Sequence, residues 1–457
     1  MSFDALISGL VLVSLGTSCM PGLSKPTEGP AGLGLLLDSG MLVNQSKAPA
    51  AAIDSSQKLS LSQAFQLALA RSEQVSIAQA GVRDADIRWN DSWSTIKPTA
   101  DLTAQAQLQR ERIVTGTSGM DQVLTPGEQL IYGARVAQPL FRRGFLASRA
   151  AGKYGHDSAN ATLERAREQL ARDVAEVFIA VLRSRKLLEL ARASVVRTKA
   201  QAEHATNRVK AGSALKSAEL LALVDVRRSE LQAITGQRDV DAAGVAFQRL
   251  TGRVPPPELE LPTMPAVADK QAAATIAKRR NDVVSRQASA QAARSEQEAA
   301  EGRRWWPRVD LQASVQYTQP QVLGRNVDWF VIGVLTVPLL QSGREHTDIA
   351  LRENAARIAG LQLEQQQKLA VEEIDLAAIL VASAGEGELG AKKQLEAASD
   401  HYKLVDKQFR LGAITFLEVT NAQSLLVEAE NAYEVARMDK VRAVFDYQFA
   451  TGALDFN

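Results

Sequence analysis

The sequence predicts a mainly helical chain with a transmembrane β part, in which one β-hairpin and one long helix pair form a unit that occurs twice. Three observations carry this reading. Motifs recur about 200 residues apart, two stretches alternate apolar and polar residues as strands do, and two proline-free stretches far exceed ordinary helix length.

The repeat is explicit. Pro139-Leu140-Phe141-Arg142-Arg143-Gly144 returns as Pro338-Leu339-Leu340-Gln341-Ser342-Gly343, and Arg208-Val209-Lys210-Ala211-Gly212 as Gln408-Phe409-Arg410-Leu411-Gly412. Thr251-Gly252 returns as Thr451-Gly452, and Lys97-Pro98 as Trp306-Pro307. The order is kept with small insertions, so a single unit has been duplicated; two copies of this length do not make a solenoid.

Composition narrows the classes. The 457 residues carry a formal net charge of +1, which gives no electrostatic footprint for nucleic acid. Aromatic residues are only 5% of the chain, and Ala, Leu, Gln, Glu and Arg dominate long stretches, as in extended helices packed through small residues. No stretch reaches the roughly 18 apolar residues that a membrane-spanning helix needs.

Residues 1–19 hold an apolar segment, Ala5–Leu15, with the length of a secretory leader core. Gly16-Thr17-Ser18-Cys19 resembles a bacterial lipobox, so Cys19, the sole cysteine, is the expected lipidation site. Glycine stands where a lipobox prefers leucine, and no Lys or Arg precedes the apolar run. A start codon set upstream of an ordinary signal peptide is the alternative. Residues 20–56, rich in Pro, Gly, Ser and Ala, read as an extended tether.

The first unit spans 57–252. Leu61, Ala64, Phe65, Ala68 and Leu69 give a helical pattern from Leu59 to about Ser94, which 269–301 repeats in the second unit. The first hairpin covers 97–139. Its partner, 307–338, alternates more cleanly: Val309, Leu311, Ala313, Val315 and Tyr317 on one face, Asp310, Gln312, Ser314, Gln316 and Thr318 on the other. Such alternation over about ten residues is the membrane-barrel pattern. Polar loops are expected at about Thr115–Gly127 and Gln319–Val327. Trp305, Trp306 and Trp329 suit an interfacial aromatic belt, or simple packing at the strand ends.

Each chain therefore supplies four strands. Four cannot close a membrane barrel, and open sheet edges are not tolerated in lipid, so strands in a membrane require several copies of the chain. A soluble four-stranded sheet with one wet face is the alternative.

Long helices follow at 145–211 and 344–411, each without proline. Continuous helices of this size run about 100 Å and need partners along their length. Leu163, Leu170, Val174, Val177, Phe178 and Val181 fall on one stripe of the first, with Arg165, Arg167, Glu168 and Arg172 off it. Gly212 and Gly412 end these helices, and return helices follow at 218–250 and 416–449. A proline-rich connector, 253–268, joins the units, the second of which spans 269–457.

Nothing points to catalysis. His156, His204, His346 and His401 are scattered along the helices without zinc-site spacing, and neither a phosphate loop nor a nucleophile elbow occurs. No cofactor or metal is expected.

The order hairpin, long helix, glycine turn, return helix, all duplicated, resembles the TolC family of bacterial outer-membrane channels. Its most specific carriers are the junctions Pro139–Gly144 and Pro338–Gly343 and the segment Gly412-Ala413-Ile414-Thr415-Phe416-Leu417-Glu418-Val419-Thr420-Asn421-Ala422-Gln423. The resemblance implies a homotrimer with a twelve-stranded outer-membrane β-barrel continued by a periplasmic α-helical barrel. It implies the exit duct of a tripartite efflux pump, served by a periplasmic adaptor protein and an inner-membrane transporter. The duct of a type I protein-secretion system is the alternative within the family, and a periplasmic coiled-coil scaffold is a distant one.

The same resemblance assigns residues. Glu418 and Asn421 take pore-facing positions of the constriction, Phe409 the place of a latch aromatic, and Ile414 that of a latching arginine. Lys210, Gly212, Lys216, Ser217 and Glu219 with Gly412 and Thr415 would form the periplasmic tips that dock on the adaptor. The exported substrate is not legible in the sequence.

Overall fold

The computed structural model describes residues 59–115, 121–260, 273–304, 306–322, 325–339 and 343–454. The leader with Cys19, the tether, the second half of the connector, Trp305 and Leu340–Ser342 lie outside the described residues.

The first helical stretch is two helices, α1 (Leu61–Leu69) and α2 (Glu73–Asp91), where one was expected. Serines explain the break. The Ser60 hydroxyl accepts from the Gln63 backbone N–H and Gln63 returns the bond to the Ser60 N–H, while the Ser72 hydroxyl caps α2 through the Val75 N–H. Leu61, Ala64, Phe65 and Ala68 are the buried face of α1.

Strand β1 (Thr99–Leu108) follows, then β2 (Arg112–Thr115), β3 (Asp121–Thr125) and β4 (Glu128–Phe141). The expected first loop is therefore partly a two-stranded ribbon of β2 and β3; the β-branched residues in both segments favour extended backbone. Further on, β5 (Arg308–Val322) and β6 (Arg325–Thr336) run through most of the second expected loop.

The main sheet has the antiparallel order β1-β4-β5-β6, so the two hairpins lie side by side. Register places Leu102 beside Ala134, Ala134 beside Val315, and Val315 beside Trp329. One face is therefore apolar across all four strands. The other carries Asp101, Arg135, Ser314 and Gln312 among its paired residues. β4 continues two residues past Pro139. The missing N–H costs no ladder bond to β1, whose pairing ends at Ala137. The outer edges of β1 and β6 have no partner strand among the described residues.

Long helices leave the sheet at both junctions. Gly144 (φ +90) precedes α3 (Phe145–Lys210, 66 residues), and Gly343 (φ +76) precedes α7 (Arg344–Arg410, 67 residues). Gly144 is doubly constrained, because a Cβ there would lie 2.6 Å from the Ala299 carbonyl oxygen. The return helices are α4 (Lys216–Thr251) and α8 (Phe416–Thr451). Between the units lie α5 (Ala273–Ala277) and α6 (Asn281–Arg304).

The main core joins α1, α3, α4 and α8 around Phe178, Val174, Val181, Phe247 and Phe445, with Phe178 and Phe247 rings 6.4 Å apart. Leu163 and Val177 pack partly buried against it. Glu168 departs from expectation: it is buried, although it lies off the apolar stripe. The reason is that α3 has neighbours on several sides. Arg165 Nη1 (2.8 Å) and Asn281 Nδ2 (2.6 Å) both donate to the Glu168 carboxylate.

At the corner between α5 and α6, Arg280 is 1% exposed. It donates to Asp282, to Glu373 on α7, and to the Ala450 carbonyl on α8. Burial alone would raise the Asp282 pKa, yet the guanidinia of Arg280 and Arg165 bring it below the usual carboxylate value.

Candidate gate and helix tips

The two glycine turns are built alike. At the first, Gly212 (φ +73) lets the Ser213 N–H reach the Arg208 carbonyl at 2.9 Å; at the second, Gly412 (φ +76) lets the Ala413 N–H reach Gln408 at 3.0 Å. Both bond the carbonyls orphaned by helix termination.

Behind the turns, the two helix pairs share a cluster. Ala202, Ala205, Ala222 and Val226 come from α3 and α4; Val405, Phe409, Phe416, Val419 and Ala422 from α7 and α8. Phe409 and Phe416 meet edge-on with centroids 5.9 Å apart, and the Arg208 guanidinium stands 5.0 Å from the Phe409 ring centre. Above the cluster, Gln201 Nε2 donates to the Tyr402 hydroxyl (3.0 Å), and Arg197 pairs with Glu430 at 2.7 Å. Burial and the nearby Asp406 carboxylate raise the Tyr402 pKa, so its hydroxyl stays protonated at neutral pH.

The expected gate residues separate into two groups. Phe409 is buried in the cluster, and Ile414 packs half-buried against it. Glu418 and Asn421 are exposed, three residues apart on one face of α8. The Glu418 carboxylate also accepts the Thr415 backbone N–H at 3.3 Å, and so helps to cap the helix.

Of the expected docking residues, Lys210, Gly212, Lys216, Ser217, Gly412 and Thr415 are exposed. Lys216 bonds Glu219, which is half-buried.

Arg197, Gln201, Tyr402 and Glu430, which with Arg208 of the repeated turn motif link the two helix pairs, lie outside every motif. One signal was available: Arg197, Gln201 and Arg208 are spaced by four and seven residues, so they share one helix face.

Among the described residues, no group of three or more His, Cys, Asp or Glu is placed to hold a metal ion. No helix there is long and apolar enough to cross a membrane.

Residues 273–453, from α5 to the end of α8, match the family model described as Outer membrane efflux protein. The second unit is similar to an outer membrane efflux domain. The whole described fold agrees with solved channels of this kind. CmeC, the outer membrane channel of Campylobacter jejuni, superposes with a TM-score of 0.74 at 14% identity, over 86% of this chain and 85% of that one. VceC of Vibrio cholerae gives 0.74 at 17% identity, over 86% and 96%. MtrE of Neisseria gonorrhoeae, an open-state channel, gives 0.73 at 17% identity, over 86% and 88%. At these identities the likeness establishes the fold. Comparison with curated proteins finds no sequence match. The family match thus covers the second unit, and the likeness to solved channels covers the fold of the whole described chain.

Proposed function

We propose that the chain is the exit duct of a tripartite efflux pump, acting as a homotrimer whose twelve strands close one barrel. The observation that carries this is the four-stranded sheet, apolar across one face, with both outer edges unpaired among the described residues and rooted in helices of 66 and 67 residues. Pairing β6 of one copy with β1 of the next satisfies the edges, and three copies supply enough strands for a closed barrel.

The tips at Gly212 and Gly412, with Lys210, Lys216, Ser217, Glu219 and Thr415, would receive a periplasmic adaptor that couples the duct to an inner-membrane transporter. Glu418 and Asn421 would face the duct axis and form its narrowest ring, where exposed carboxylates of three copies favour cations. Phe409, Ile414, Tyr402 and Arg197 would hold the second helix pair against the first, so opening would need those contacts to part. No reaction is required of any of these residues. Cys19 would carry the lipid anchor.

Native mass spectrometry of protein extracted from outer membranes in mild detergent tests the assembly. Three chains beginning at an acylated Cys19 are expected; a water-soluble monomer that needs no detergent would sink the duct.

A further inference from the structure

Where the sheet meets the helices, a cleft of about 500 Å³ is lined by six arginines: Arg142, Arg143, Arg303, Arg304, Arg308 and Arg344. Only two carboxylates, Glu345 and Asp348, line it with them. In a chain of net charge +1 this is a strong local excess.

Part of the excess is compensated. Arg142 lies 3.6 Å from Asp310, Arg303 lies 3.7 Å from Asp348, and Arg304 donates to the His346 ring at 3.0 Å. Arg143 stacks on Trp306, with the guanidinium 4.0 Å from the ring centre. Among the described residues, Arg308 and Arg344 have no carboxylate within ion-pairing distance, and both are exposed.

The cleft lies on the polar side of the sheet. Arg308 pairs with Thr336 and shares strand parity with Asp310, Gln312 and Ser314, whereas Trp329 and Val315 belong to the opposite, apolar side. Two helix N-termini also open into it, since Gly144 and Phe145 of α3 and Arg344 of α7 line the wall. Their positive dipole ends add to the guanidinium field.

We propose that this cleft, repeated around the threefold axis, forms an anion-binding collar inside the duct, a transit site for small solutes bearing phosphate, sulfate or carboxylate groups. The proposal rests on the duct reading, which makes the polar face of the sheet the lumen wall. Guanidinium forks bind such groups bidentately, and a walled cleft focuses their field. The collar and the Glu418 ring would then place opposite charges at the two ends of the helical tunnel.

The probe is inorganic pyrophosphate, titrated calorimetrically into the full-length detergent-solubilised protein. Saturable binding that weakens as salt rises is expected, with affinity falling at least about tenfold in the Arg308→Gln/Arg344→Gln double variant. Absence of saturable binding in the wild type, or equal affinity in a variant that melts like the wild type, would overturn the collar. If the double variant does not fold, the two single variants are titrated in its place. Conductance in planar lipid bilayers checks the duct separately. A conducting protein that binds no pyrophosphate overturns the collar alone, and a binding protein that never conducts overturns the duct alone.

Discussion

Arg280 reaches across the helix layer to Glu373, its Nη2 atom 2.7 Å from the carboxylate, and so ties the corner between α5 and α6 to the middle of α7. Asp282 shares the same nitrogen at 2.6 Å. Arg280→Ala would leave an empty site in the core, the largely buried Asp282 with only the more distant Arg165 guanidinium, and the exposed Glu373 without this partner. A loss of about 3–5 kcal/mol is expected, seen as a lower melting temperature of the helical circular-dichroism signal.

The same contact sets an acid limit. The Asp282 pKa is depressed in the folded chain, so its stabilising contribution is complete above the unfolded carboxylate value of about 4 and is lost as pH falls through the folded value. Wild-type melting temperature should drop on acidification below about pH 4. In Arg280→Ala this acid-linked loss should shrink, because the nearer of the two guanidinia that depress the pKa is gone. Parallel pH profiles of the two proteins would contradict the assignment.

The two strand-to-helix glycines should respond unequally to alanine. Both have positive φ, which costs an L-residue about 1–2 kcal/mol. Gly144→Ala also drives a Cβ to 2.6 Å from the Ala299 carbonyl, whereas at Gly343 nothing described lies within 4 Å. Gly144→Ala should therefore lower the melting temperature well beyond Gly343→Ala. Equal shifts would mean that the Ala299 contact is not maintained.

At the tip, Phe409→Ala should remove about 3–5 kcal/mol of local packing, while loss of the Arg208 contact in Arg208→Gln should cost about 0.5–1 kcal/mol. Limited trypsin digestion reads this directly, since Lys407 and Arg410 flank the cluster. Faster cleavage there is expected in Phe409→Ala and a weaker effect in Arg208→Gln. Unchanged cleavage in both would show that the cluster does not hold the tip.

Glu418→Gln separates capping from conduction. Glutamine keeps an acceptor for the Thr415 N–H, so melting should stay within about 0.5 kcal/mol of wild type. If three Glu418 carboxylates line the constriction, the potassium-to-chloride permeability ratio in planar bilayers should fall. A preserved ratio would place Glu418 away from the duct axis.

The fold class was legible because its signals are periodic. Strict alternation from Val309 to Thr318 marks a two-faced strand, and proline-free runs ending at Gly212 and Gly412 mark the long helices. The helix breaks at Ser72 and Arg280 were less legible, since capping by one serine or a buried arginine leaves apolar spacing almost unchanged. The β2–β3 ribbon was hidden for another reason: short strands in a polar stretch differ little from a loop. At the tip, Gly412 and Glu418 could be read from a local motif. The Gln201–Tyr402 and Arg197–Glu430 contacts could not, because each joins helices some two hundred residues apart. Glu168 shows the same limit, since its burial depends on Asn281 from the other unit.

The unpaired margins of β1 and β6 bear on biogenesis. A lone chain presents two strand margins and a broad oily surface, a combination prone to aggregation in water. On the proposed trimeric assembly, insertion and subunit association would thus be one concerted event, with no stable solitary intermediate to purify. Damage far from the membrane, such as a weakened α3 or α7, would then surface as a yield that depends on expression level, even in molecules whose finished channel works normally.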